Sequence, residues 1–171
     1  KVERAKKAES EDKESALLKK KAEERLLQLG EARREKAEGN DKFKAKDLKG
    51  AEACYSRALT VISDATDKEM LHEKCLVLSN RALIHIQLKR FTQAEADCTA
   101  AIEANGSWAK AHHRRGVARA QLGDLGGALN DLEKAIKLEP DSSSTLDEIR
   151  RVKQLQTKQR QQQQQQQLLL L

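Results

Sequence analysis

Aromatic residues are nearly absent: one Trp, one Tyr and two Phe make up 2% of the 171 residues. A sheet protein draws on aromatic and β-branched side chains for its pleated faces, so this composition speaks against a β core. It also leaves no ladder of stacking platforms for bases. The formal net charge of +6 comes from 33 Lys and Arg interspersed among 27 Asp and Glu, a bias towards acidic partners that does not point to nucleic acid. Proline occurs once, at Pro140, so long helices can run without interruption. The three cysteines, Cys54, Cys75 and Cys98, are odd in number and lack CxxC spacing. They read as reduced, packed thiols of a cytoplasmic protein rather than as a disulfide framework. No apolar run is longer than the four leucines at 168–171, which predicts neither a signal peptide nor a membrane span.

Catalytic constellations are missing as well. Gly123-Asp124-Leu125-Gly126-Gly127 is glycine-rich, but no strand precedes it, so it reads as an interhelical turn and not a phosphate loop. His112 and His113 are adjacent and face different sides of a helix, which prevents joint ligation of a metal. His72 and His85 have no acidic or cysteine partner at ligand spacing, and Cys98 lies on an apolar helix face. No Ser–His–Asp set or carboxylate pair is readable. The expectation is a non-enzymatic protein without cofactor or metal.

What the chain does have is helical periodicity that repeats. Ala51, Tyr55, Ala58 and Leu59 mark one helix face at i, i+4, i+7 and i+8. The same grammar returns at Ala94, Cys98, Ala101 and Ile102, and again 34 residues later at Ala128, Leu132, Ala135 and Ile136. The first shift is 43 residues, nine more than the second; the surplus falls around Thr66 to Lys74. Nothing there breaks a helix, so lengthening of the facing helices is expected, with the first helix of repeat two running from about Asp67 to Leu88 and burying Leu76, Leu83 and Ile86. Gly39, Ala82 and Gly116 occupy the same small-residue position. Asp47, Ser107 and Asp124 are candidate N-caps, Gly123 a left-handed helix end, and Pro140 a stop.

These boundaries divide the chain into a charged helical extension (1–31), three helix–turn–helix repeats (32–65, 75–106 and 107–140, with an insert at 66–74), a capping helix (141–158) and a low-complexity Gln/Leu tail (159–171). A last repeat exposes an apolar edge, which the helix carrying Leu146, Ile149, Val152 and Leu155 would cover. The tail reads as disorder or as a frayed extension of that helix. In the N-terminal extension, Leu18, Ala22, Leu26 and Leu29 form a narrow apolar stripe. It reads either as a solvated helix held by Glu–Lys pairs or as an arm that docks on a partner.

A 34-residue helix–turn–helix period is that of the tetratricopeptide repeat, or TPR. Asn80 and Arg114 lie one period apart, Lys110 stands one turn before Arg114, and Lys36 and Asn40 repeat the i, i+4 spacing. With Lys36-Ala37-Glu38-Gly39-Asn40-Asp41-Lys42-Phe43, Ser79-Asn80-Arg81-Ala82 and Ala128 to Pro140, these residues make the stretch from about Ala32 to Leu155 resemble a co-chaperone TPR domain of the dicarboxylate-clamp type. The resemblance implies an all-α solenoid of three repeats that binds C-terminal tails of cytosolic heat-shock chaperones ending in Glu-Glu-Val-Asp. It implies that Lys36, Asn40 and Asn80 hold the terminal α-carboxylate, while Lys110 and Arg114 meet the Asp side chain and upstream peptide groups. Phe43, Arg115 and Arg119 would form a secondary groove, the two arginines adding positive charge. The other reading of the same residues is a structural component of a larger cytoskeletal or ciliary assembly, with the clamp idle or reused.

Overall fold

The structure, a computed structural model, describes the backbone of residues 2–170 and the side chains of residues 11–170. Among the described residues there are seven helices and no strand: α1 (Val2–Lys44), α2 (Leu48–Val61), α3 (Lys68–Gln87), α4 (Phe91–Ala104), α5 (Ala109–Leu122), α6 (Leu125–Leu138) and α7 (Ser143–Leu169). Contact is most extensive within the pairs α1–α2, α3–α4 and α5–α6, and α7 packs on α6 and α5. Helices α1, α3 and α5 also touch one another in order, so the first helices of the three hairpins lie side by side along one face of a solenoid. No helix is long and apolar enough to cross a membrane among the described residues.

The second helices α2, α4 and α6 each have 14 residues and begin at 48, 91 and 125. The nine surplus residues therefore lie between α2 and α4. They lengthen α3 to 20 residues against 14 in α5; the rest extend the linkers that flank it. The lengthening falls on α3 alone, and α2 is no longer than its counterparts. Two local features set this limit. Ile62 is buried just beyond the end of α2, and Asp67 starts a new helix by accepting from the N–H groups of Glu69 (3.0 Å) and Met70 (3.1 Å), which satisfies two otherwise orphaned donors.

Asp47 and Asp124 cap α2 and α6 in the same way, accepting from Gly50 (2.9 Å) and Gly127 (2.8 Å). Ser107 does not cap α5. Its own N–H donates to Asn105 Oδ1 at 3.1 Å, which holds it in the preceding turn, and Trp108 takes the cap position without a side-chain bond. Gly123 ends α5 at φ 89°, as its position suggests, but Lys46 and Lys89 adopt the same left-handed conformation at φ 63° and 57°.

The core is a chain of small clusters, one per hairpin junction. The first gathers Leu29, Ala32, Ala51, Tyr55, Ala58, Ile62, Met70, Val77 and Ile84; later ones centre on Cys75, Leu78, Ala101 and Ala111 and on Ala120, Ala128, Leu132 and Val152. Leu76, Leu83 and Ile86 are only half-buried, and Cys75, Val77, Leu78, Ala82 and Ile84 take the interior of α3 instead. Helix α3 sits between α1, α2, α4 and α5, so its buried surface wraps further round than a single amphipathic stripe. All three cysteines are free and buried. Burial pushes the Cys75 thiol up to about 11 and that of Cys98 to about 12, leaving both unreactive at neutral pH.

At the ends, α1 is one continuous helix through the extension into repeat one. Of the stripe Leu18, Ala22, Leu26 and Leu29, only Leu29 is buried; Leu17, Leu18, Leu26 and Leu27 stand in solvent. Helix α7 covers the last hairpin with Val152, which is buried, and Ile149 packed beside it, while Leu146 and Leu155 remain exposed. Its glutamine stretch continues as exposed helix.

Candidate carboxylate-binding groove

Three of the five expected clamp residues meet in one hydrogen-bonded chain across the inner helices. Asn40 on α1 accepts, through Oδ1, from Asn80 Nδ2 on α3 at 3.3 Å. Arg114 on α5 donates from Nη1 to Asn80 Oδ1 at 3.4 Å, to Ser79 Oγ at 2.8 Å and to the Ser79 carbonyl. The side-by-side stacking of α1, α3 and α5 makes this contact, because residues one repeat apart fall at the same height on neighbouring helices.

The polarity of the chain is fixed from behind. Tyr55 on α2 donates its hydroxyl to Asn40 Oδ1 at 2.8 Å. Both recorded bonds to the Asn40 side chain therefore end on its oxygen, and among the described residues its Nδ2 donors have no protein partner. The Tyr55 ring can reach this position only because residue 39 is glycine: a Cβ there would lie 2.6 Å from ring atom Cε1, well inside van der Waals contact. Tyr55 thus does more than fill space beside small residues; it orients a groove amide.

Lys36 and Lys110 stand one turn before Asn40 and Arg114 on their helices. Lys110 is exposed, with Nζ 5.9 Å from the centre of the Trp108 ring, and His72 meets the same ring edge-on at 6.0 Å. Lys36 is not a free cation. It is ion-paired with Glu73, whose side chain is only 4% exposed. Burial pulls the Arg114 guanidinium below its usual range, opposed by the neighbouring Cys98 and Tyr55 groups, and the group remains a cation at neutral pH.

Phe43, Arg115 and Arg119, expected to line a secondary groove, are each half-buried and engaged by the protein itself. Phe43 is half-buried against the first core cluster. Arg115 binds Asp131 through Nε (2.8 Å) and Nη2 (2.7 Å), and Arg119 binds Asp131 (2.9 Å) and Glu95 (2.7 Å). Both cations are thus paired with carboxylates of the protein. The reason is angular: the residue after a groove residue sits about 100° round the helix and faces the partner helix. One repeat earlier, Arg81 follows Asn80 and binds Asp97 with the same pair of bonds, at 2.8 and 2.7 Å.

Three of the four histidines are engaged by protein partners. His85 Nε2 lies 3.4 Å from Asp97 and Nδ1 3.9 Å from Glu52, acidic neighbours that sequence spacing hides because they come from other helices. His112 Nε2 meets the Gly106 carbonyl at 2.9 Å, and His113 Nδ1 meets Thr145 Oγ1 at 3.0 Å. Among the described residues, Glu35, Glu38 and Cys54 offer close ligand atoms. Arg57 already places a cation there, donating to Glu35 (2.9 Å) and the Cys54 sulfur (3.1 Å).

Comparison with known proteins bears on the family and the fold. The tetratricopeptide repeat profile matches residues 77–107 and 109–142. RNA polymerase II-associated protein 3 of Xenopus tropicalis is 37% identical over 124 residues, which are 72% of this chain and 18% of that protein; the chain thus spans under a fifth of its curated relative. The first TPR domain of Spaghetti (RPAP3), solved with the HSP90 peptide SRMEEVD, superposes with a TM-score of 0.66 at 32% identity, covering 75% of this chain and 94% of that one. The second TPR domain of human RPAP3, solved with the HSP70 peptide SGPTIEEVD, gives 0.63 at 34% identity, covering 75% and 97%. In architecture, in repeat length and in sequence, the chain belongs to the tetratricopeptide-repeat family.

Proposed function

We propose that this chain is a cytoplasmic, non-enzymatic co-chaperone adaptor that captures the free C-terminus of a heat-shock chaperone tail. The carrying observation is the hydrogen-bonded chain Asn40–Asn80–Arg114 across three stacked helices. Lysines stand one turn before its two outer members, in a chain similar to domains solved with HSP90 and HSP70 peptides ending EEVD. Lys36, Asn40 and Asn80 hold the terminal α-carboxylate, and Lys110 with Arg114 meets the Asp side chain. Ammonium and guanidinium groups make charge-assisted bonds to carboxylates, each contributing about 1.5–3 kcal/mol before ordering costs. A few such bonds give a Kd on the order of micromolar.

Fluorescence anisotropy with a labelled peptide ending Glu-Glu-Val-Asp tests this directly. The free acid should bind saturably and the C-terminal amide should not. Lys110→Glu should abolish binding of the free acid without loss of helicity, since Lys110 is exposed. Equal binding of acid and amide would mean that the five residues are ordinary polar surface.

The exposed leucines of α1, at 52–73% exposure for Leu17, Leu18, Leu26 and Leu27, favour a second role alongside the first. Through this arm the domain docks on a client or on the assembly that the adaptor serves.

A further inference from the structure

Glu73 is the buried charge that the clamp alone does not explain. Its carboxylate lies between Lys36 and Arg33: Oε1 pairs with Lys36 Nζ, and Oε2 accepts from Arg33 Nε at 3.3 Å. Arg33 is shared in turn with Glu69 at 2.9 Å. Among the described residues Lys36 has no other acidic partner. The ammonium that should receive a ligand carboxylate is therefore already in contact with a carboxylate of the protein itself.

The lengthened α3 delivers this group. One standard repeat after Glu73 comes Ser107, which precedes the first residue of α5. The third hairpin therefore has no helical residue at the equivalent height. In the second hairpin the added turns at the start of α3 carry Glu69 and Glu73 across to α1, where they meet Arg33 and Lys36.

We propose that Glu73 is an internal competitor for the α-carboxylate half of the clamp, and that it lowers the affinity of this half for any free C-terminus. The inference rests on the carboxylate-clamp reading. An incoming α-carboxylate must share the three donors of Lys36 with Glu73 and lies within a few ångströms of a fixed negative charge, so this half of the site binds below its capacity. Lys110 and Arg114 carry no such penalty, since no carboxylate pairs with either among the described residues. The C-terminal carboxylate, which every protein has, thereby contributes less to affinity, and tight binding depends more on the acidic side chain at the last position, which few have.

Glu73→Gln keeps the shape and removes the charge. Titrated with the Glu-Glu-Val-Asp peptide, it should bind the free acid roughly fivefold more tightly than the parent chain, as expected for relief of like-charge repulsion at partly screened distances. It should strengthen a peptide ending in Val-Ala by about the same factor, and leave the amidated peptide unchanged. A second variant, Arg33→Gln, leaves Glu73 to Lys36 alone and should weaken free-acid binding a few-fold while leaving the amide unaffected; this variant decides the matter if Glu73→Gln loses helicity. Unchanged or weaker free-acid binding by folded Glu73→Gln overturns the competitor role while leaving the clamp standing. Failure of parent and variant alike to prefer acid over amide overturns the clamp reading itself, and this inference with it.

Discussion

Tyr55 shows how one hydroxyl can set the direction of a groove amide. Its ring is buried in the first core cluster and its hydroxyl donates to Asn40. Tyr55→Phe keeps the ring against Gly39 and deletes only that donor. The fold should lose no more than about 1.5 kcal/mol, the net value of one hydrogen bond. Peptide binding should suffer more visibly, because the Asn40 amide is then free to turn its oxygen towards the incoming carboxylate. An affinity loss of about threefold to tenfold is expected, measured by anisotropy beside a thermal melt; an unchanged affinity would show that Asn80 alone fixes the amide. At this scale the sequence revealed only part of the site. Asn40, Asn80 and Arg114 were legible because i, i+4 spacing and the 34-residue period are properties of the chain itself. Tyr55, Glu73 and the partners of Arg115 and Arg119 were not, since each acts across 12 to 40 residues onto another helix.

Among the elements, the turns within the hairpins repeat more faithfully than the residues that make them. After α1, α3 and α5 the chain closes with the same two bonds: Lys46 N–H to Phe43 and Asp47 N–H to Lys42, then Lys89 to Ile86 and Arg90 to His85, then Gly123 to Ala120 and Asp124 to Arg119. This is a Schellman-type ending, with its left-handed residue at Lys46, Lys89 and Gly123. Glycine takes that conformation without strain, whereas a residue with a Cβ pays roughly 1 kcal/mol. Only the third turn was readable in advance, because only there does the residue type advertise the backbone. Lys89→Gly should stabilise the domain by roughly 0.5–1 kcal/mol, seen as a melting temperature raised by about 1–4 °C; Lys89 is exposed, so no packing is lost. Gly123→Ala should move it by a similar amount in the opposite direction. A melt lowered by Lys89→Gly would mean that the flexibility gained by the unfolded chain outweighs the strain relieved.

For the molecule as a whole, stability in a solenoid is close to a sum over neighbouring elements, so the two ends should contribute according to what they bury. Helix α7 divides sharply on this criterion. Its first three turns bury Thr145 and Val152 and pack Ile149 against Ala120, Ala128 and Leu132, with His113 on α5 bonded to Thr145. From Thr157 to Leu170 every described side chain is exposed, and glutamine's good helix propensity is the only local support for the helix there. Ending the chain after Lys158 should leave the melting temperature within about 2 °C of the parent. Ending it after Asp141 uncovers the last hairpin and forfeits roughly 4 kcal/mol of apolar burial. Calorimetry should then show a drop of about 10 °C for a domain of this length. Free-acid peptide binding at low temperature should persist in the shorter chain, because α1, α3 and α5 carry every groove residue. Should the longer truncate melt as early as the shorter, the exposed tail would have to be stabilising the solenoid by something other than burial.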